Sequence, residues 1–338
     1  MDSASTPARA DVDPLRLGPQ VAQDLVCPRD AHAPLARSKG QLICTHPGCG
    51  LRFPIVDGIP VLIDESRSIF ELNDFVTDKP TTLDLRDEAQ RLPTLKARLK
   101  ARVVSIIPSL SLGTSDFTAA AALMEVERSC PNPRVLVIGA GDVQFASQPG
   151  TTLIYSDVAR GPLIHVIADA HDLPFADASF DAVLAIAVLQ YLPDPARAMM
   201  QTHRILKPGG LAYVVAPMIQ QNTLGPHDYF LYTHAGLRRV MRCFTEVRSG
   251  VANGPAMALS WTIEAFMTSM SETRWVRSLL SNLTRLVIWP LKYLDRGLSR
   301  KRGAYDCASA LYFFGRRAEF PVSDRDISRG YRGLKWGA

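Results

Sequence analysis

A glycine turn and two acids are the first residues in this 338-residue chain whose types and spacing suggest chemistry. RVLVI (134–138) is apolar and β-branched enough for a strand buried on both faces, and Gly139-Ala140-Gly141 follows it directly. Lacking a Cβ, glycine lets the backbone turn sharply and lets a ligand approach it closely. Asp157 ends a second apolar stretch, TTLIYSD, where a carboxylate can accept hydrogen bonds from ribose hydroxyls. Asp169 ends a third, LIHVIAD, placed to meet an adenine amino group. An open α/β sheet holds a nucleotide-like ligand in this way, at the carboxyl ends of its strands.

Two further sets of residues stand outside that succession. Cys27, Cys44 and Cys49 fall within 23 residues of one another, and clustered thiols in a reducing compartment suggest a structural zinc site rather than disulfides. Tetrahedral zinc takes four donors, so His32 or Asp30 would complete the set. His32 is preferred because imidazole is the commoner partner of thiolates; His46 lies between the second pair of cysteines. The alternative is a metal-free hairpin packed by Phe53, Ile55, Ile59 and Val61. The other set is the loop Gln220, Gln221, His227, Asp228, Tyr229, Tyr232 and His234. Histidine is the natural base near neutral pH, which makes His227 beside Asp228 a candidate base and His234 its reserve. The plainer alternative is that these histidines line a loop and cap a helix.

In tandem the motifs V-L-x-x-G-x-G (135–141), the acid at 157, D-A-x-x-L-P-F (169–175), S-F-D-x-V (179–183) and L-x-P-G-G (206–210) resemble class I S-adenosylmethionine-dependent methyltransferases of the small-molecule type. The likeness runs from Arg134 to Phe244. It implies S-adenosylmethionine as cofactor, lined by Gly139, Ala140, Gly141, Asp157, Asp169 and Ala170, with Ala187, Leu189 and Gln190 facing its sulfonium. The stretch from Asp24 to Ile63, ending in FPIVDGIPVLI, is similar to zinc-ribbon methyltransferase activators of the Trm112 type. Its ligand pattern departs from that family's paired cysteines.

The elements that must position these residues are abbreviated. Val143 stands where a third glycine is usual, and Pro149-Gly150 leaves no room for a long helix between the first two strands. Only Val158 to Pro162 separate Asp157 from the next apolar run, although a parallel crossover ordinarily takes about a dozen residues. The third strand is therefore expected to be short, displaced or missing, leaving the sheet without an edge. Downstream the pattern is regular: a strand over 180–187, a helix over 194–206 capped by Asp194 with Pro195 at its first position, a strand over 211–217, and a helix capped by Thr233. A Pro93-interrupted helix over 84–99 and a helix over 115–126 capped by Ser115 precede the sheet. The division is a disordered N-terminus (1–20), a ribbon (21–78), a helical link (79–132), an α/β Rossmann-like core (133–250) and a helical extension (251–338). That extension would hold a buried apolar helix over 254–267, a returning edge strand near 308–316 and a loose basic tail.

A content of 47% hydrophobic and 21% charged residues fits a folded chain. The net charge of +5 hides a surplus of nine basic residues after residue 273, which could meet phosphates or anionic lipid. Residues 274–294 mix tryptophan, aliphatic and basic side chains, as in a helix lying in a membrane interface. The opening residues hold no apolar export segment, so a cytoplasmic address, peripheral to the inner membrane face, is expected. The best-supported function is methyl transfer to a small-molecule or saccharide acceptor, including a lipid-linked one, at oxygen. The alternatives are an rRNA or tRNA base methyltransferase, for which no aromatic-basic platform is evident, and a non-catalytic scaffold.

Overall fold

The computed structural model describes residues 15–30, 33–77 and 108–334. The helix expected over 84–99, and His32, lie outside them. A short turn α1 (Pro19–Ala22) leads into an antiparallel ribbon of β1 (Leu35–Ser38), β2 (Gln41–Cys44), β3 (Arg52–Val56) and β4 (Ile59–Leu62). Two of its turns follow from their residues. Lys39-Gly40 and Asp57-Gly58 are two-residue loops with both members at positive φ, the geometry that matches the twist of paired strands. The chain expected to be disordered to residue 20 is in place from residue 15, because Leu17 and Val21 are buried in the core.

After α2 (Leu72–Val76) and α3 (Ala119–Ser129), β5 (Arg134–Ile138), β6 (Thr152–Asp157), β7 (Val166–Ala168), β8 (Phe180–Ile186), α4 (Pro195–Ile205) and β9 (Leu206–Pro217) build the centre of the sheet. Thr118, not Ser115, caps α3, accepting from Ala121 N–H at 3.2 Å. Asp194 caps α4 as expected. There follow α5 (His234–Val240), capped by Thr233, then β10 (Phe244–Asn253), α6 (Pro255–Ser269), α7 (Arg274–Ile288), α8 (Asp295–Leu298), β11 (Ala310–Arg317) and α9 (Asp324–Arg329).

Among the described residues, one sheet joins eleven strands in the order β1-β2-β3-β4-β7-β6-β5-β8-β9-β11-β10. Strands β4 through β9 run parallel wherever they pair with one another, and the order reverses about β5. This is a Rossmann-like α/β arrangement; in such sheets ligands bind at the carboxyl ends of the strands where the order reverses, a point that falls here between β5 and β8. No helix joins β5 to β6 or β6 to β7, as the short connections require. β7 exists nonetheless. It pairs with β6 only through Ser156↔Val166 and Asp157↔Ile167, so it is staggered past the end of β6 and the connection need not run back along the strand.

Where the sheet was expected to lack an edge, the ribbon supplies one. Val61↔Ile167 and Leu62↔Ala168 are parallel pairs, and all four residues of β4 are buried, as in an interior strand. Leu25, Cys27, Leu42, Phe53 and Leu62 share a hydrophobic core with Leu136, Phe175 and Phe180. The returning strand β11 is not the edge: it is antiparallel to both β9 and β10, and β10 takes the edge.

The C-terminal extension differs from expectation twice. Helix α6 buries only its first turns, through Ala256, Met257, Ala258 and Ser260. The tail beyond Pro321 is packed, because Ile327 is buried and Arg332 pairs with Glu246 at 2.6 Å. Among the described residues no helix is long and apolar enough to cross a membrane.

Candidate active site

At the end of β5 the backbone turns through Gly139 and Gly141, both left-handed, with φ of 62° and 51°. A Cβ on Gly139 would stand 2.4 Å from Val188 Cγ2, so both conformation and space demand glycine there. Asp157 fastens this turn: its Oδ2 accepts from Gly141 N–H at 2.7 Å, and its Oδ1 accepts from Val158 and Ala159 N–H at 2.7 and 3.1 Å. At the facing end of β8, Ala187 has φ of 53°, a conformation disfavoured for any residue with a Cβ and found more often at functional sites.

Asp169 and Ala170 lie beyond β7, where Asp169 caps a short 3₁₀ turn (Ala170–Asp172). Its carboxylate is buried and bound within the protein. Ser68, from the segment after β4, donates to Oδ2 at 2.6 Å, while His171 N–H and Nδ1 reach Oδ1 at 2.9 and 2.5 Å. Asp194 N–H donates to His171 Nε2 at 3.2 Å, so Nδ1 carries the proton. Burial pushes the Asp169 carboxyl up, but the bonds from His171 and Ser68 together outweigh it and hold the group below its ordinary range. The acid expected beside an adenine amino group thus also holds the turn after β7. His171 is a local partner, two residues from Asp169, whereas Ser68 arrives across 101 residues of chain through the β4–β7 pairing, which local pattern does not reveal.

A cavity of about 230 Å³ opens at the ends of β8 and β9, lined chiefly by Gln190, Pro217, Gln220, Gln221, Asp228 and Tyr229. Gln190 is 3% exposed, and its Oε1 has no hydrogen-bond partner while Nε2 donates to Ala187 O at 3.0 Å. Gln221 Oε1 is likewise buried without a partner. The Gln190 carbonyl accepts from Tyr229 and Phe230 N–H at 2.8 and 3.2 Å, which ties the loop down. Leu189 is fully buried and belongs to the core, contributing its carbonyl to Tyr232 Oη–H at 2.8 Å rather than a face to the cavity.

The expected bases are dispersed. His227 is not among the cavity-lining residues; Asp228 is, with Oδ2 accepting from Thr223 and Leu224 N–H at 2.8 and 2.7 Å. These bonds make the Asp228 carboxylate a clamp on the loop. His234 opens α5 and turns away into a packed site against Tyr305 and Tyr331. Burial, helped by Arg238 and Arg332, pushes it down to about 4.

In the ribbon, the Sγ atoms of Cys27, Cys44 and Cys49 all lie within 4.8 Å of one another, with Cys27 and Cys49 3.7 Å apart. Zn–S bonds of about 2.3 Å at tetrahedral angles put sulfurs roughly 3.8 Å apart, so the spacing fits a metal and not a disulfide. Neither Asp30 nor His46 joins this cluster among the described residues; His46 Nδ1 accepts from Gly48 N–H at 3.3 Å. Arg29, whose charge acts on Cys27 and Cys49, is bidentate to buried Asp64 at 2.7 Å.

Residues 146–214 match the family model described as a methyltransferase domain. The demethylmenaquinone methyltransferase of Chlorobaculum parvum is 30% identical over 156 residues, 40% of this chain and 64% of that protein. The 27-O-demethylrifamycin SV methyltransferase of Amycolatopsis mediterranei is 27% identical over 135 residues, 37% of this chain and 46% of that one. The chain thus spans under two thirds of the length of these curated relatives. Among solved structures, Haemonchus contortus phosphoethanolamine N-methyltransferase 2 with S-adenosyl-L-methionine has a TM-score of 0.36 and 16% identity, covering 59% of this chain and 52% of that one.

Proposed function

We propose that this protein is an S-adenosylmethionine-dependent methyltransferase acting on a small-molecule acceptor. The cofactor would lie across the ends of β5, β6 and β8, and the acceptor in the cavity beside Gln190. The observation that carries the reading is the left-handed Gly-Ala-Gly turn locked to Asp157 at the switch point, with an unpartnered buried amide oxygen one strand away. When bound, the sulfonium supplies an electrophilic methyl carbon. The chain's own task is to align the acceptor for in-line displacement.

Each residue then has an assignable part. Gly139, Ala140, Gly141 and Asp157 shape the ribose and methionine end. Asp169 and Ala170 hold the turn beside the adenine, and Ala187 and Gln190 bound the transferring methyl. Gln190 and Gln221 Oε1 favour an acceptor that presents O–H or N–H donors. The cavity is smaller than the roughly 300–1,000 Å³ of sites that enclose a whole drug-sized molecule, so it takes the reacting end of the acceptor. Asp228, which lines the cavity, is the group we assign to receive a proton, ahead of its neighbour His227, which is not in that lining, and of the buried His234.

We also propose that Cys27, Cys44 and Cys49 hold a structural zinc ion with His32 as fourth ligand. Its contribution is to fold the ribbon, and a filled four-ligand site has no part in transfer. Calorimetric titration of the full chain with S-adenosylmethionine and S-adenosylhomocysteine tests the main reading. Micromolar binding of both is expected; folded protein that takes up neither overturns it.

A further inference from the structure

Helix α7 is amphipathic with its apolar side turned outward. Trp275, Leu279, Leu283, Leu286 and Val287 recur at helical spacing, and each is at least half exposed, Trp275 at 70% and Val287 at 76%. The opposite side packs on α6, where Ser281 and Arg285 meet Glu264 at 2.6 and 2.7 Å. A surface helix ordinarily does the reverse. Helix α6 carries the stripe onward through Leu259 and Phe266, 53% and 62% exposed. Thr262, on the same face, accepts from Gln221 Nε2 at 3.2 Å, and Gln221 lines the acceptor cavity. Tyr229, Phe230 and Leu231, on the cavity's lining, are exposed as well. Exposed apolar side chains thus stand on the cavity lining, on α6 beside the Gln221–Thr262 bond, and on the outer side of α7.

The same stretch of chain is basic. Arg274, Arg277, Arg296, Arg300, Lys301 and Arg302 are all exposed, and the acids of this stretch are Glu272 and the buried Asp295. Exposed apolar side chains together with a surplus of exposed cations match the headgroup boundary of an anionic bilayer: apolar side chains enter the acyl region while arginine and lysine meet lipid phosphates. We propose that the outer face of the α6–α7 hairpin docks on an anionic lipid surface and presents the cavity mouth to an acceptor dissolved in it. The delivery half of this proposal rests on the methyltransferase reading; the docking half does not.

Co-sedimentation of the full chain with vesicles tests it, comparing phosphatidylcholine alone with an equal mixture of phosphatidylcholine and phosphatidylglycerol. Binding to the anionic vesicles should be stronger by roughly tenfold or more and should fall steeply with salt. Trp275→Ser with Leu283→Glu should abolish it, and Arg300→Glu with Lys301→Glu should weaken it comparably, with unchanged melting temperatures since all four side chains face solvent. Indifference to anionic lipid, or full binding by either double variant, overturns docking. So does light scattering that reveals a dimer dissociated by the apolar variant. Cofactor calorimetry on the same variants separates the two readings: vesicle binding without cofactor binding sinks the proposed function and leaves docking standing.

Discussion

Removing the Asp157 carboxylate strikes the turn and the proposed ribose site together. In the free protein Asp157→Ala releases three backbone donors, Gly141, Val158 and Ala159 N–H, bonded at 2.7, 2.7 and 3.1 Å. All three lie where water can partly replace the carboxylate, so each bond contributes nearer ~0.7 than ~2 kcal/mol, and the sum is about 2 kcal/mol of stability. Cofactor affinity should fall by a similar amount, about 2 kcal/mol or roughly thirtyfold in Kd, because the ribose partner is lost and Gly141 is no longer held. Asp157→Asn keeps one acceptor oxygen and should fall between, since an amide can satisfy Gly141 or the 158–159 pair but not both. Calorimetry gives the affinities and urea unfolding the stabilities. An affinity changed less than twofold in Asp157→Ala, alongside a lowered stability, would reduce Asp157 to a turn clamp and refute its place in the cofactor site.

Three other outcomes are open to measurement. His234 is held near 4 by burial, against an ordinary value of 6.5; between those values the unfolded chain binds the proton and the folded chain does not. Stability should therefore fall as the pH drops from 6.5 toward 4, by about 3 kcal/mol in total. His234→Phe should flatten that part of the urea-derived profile and be neutral or stabilising at pH 7, since it also removes two unpartnered ring nitrogens; equal slopes in both proteins would contradict this. Gln190→Met preserves bulk but removes the buried acceptor oxygen, so KM for the acceptor should rise about tenfold while cofactor Kd moves less than threefold; the reverse split would put Gln190 on the cofactor. Cys44→Ser should lower bound zinc well below one per chain by elemental analysis and depress the melting temperature, and stoichiometric metal in that variant would refute the ligand set.

Much of this protein is legible from local pattern. Gly139 to Gly141, the Asp194 and Thr233 caps and the missing helices around β6 are dictated within a few residues, by φ preference, N–H satisfaction and chain length. The spacing of Cys27, Cys44 and Cys49 likewise announced a cluster that the ribbon then closed. What local pattern could not decide is which surfaces meet. The β4–β7 pairing turned a separate-looking ribbon into the continuation of the sheet and delivered Ser68 to Asp169, a contact across 101 residues of chain. The same long-range packing withdrew His234 behind Tyr305 and left Asp228 rather than His227 on the cavity wall. Helix α7 is the sharpest instance. Its amphipathic spacing is plain in the sequence, but periodicity reports only that two faces differ; that the apolar one faces out, while Ser281 and Arg285 meet Glu264 on the inner side, appears only in the tertiary structure.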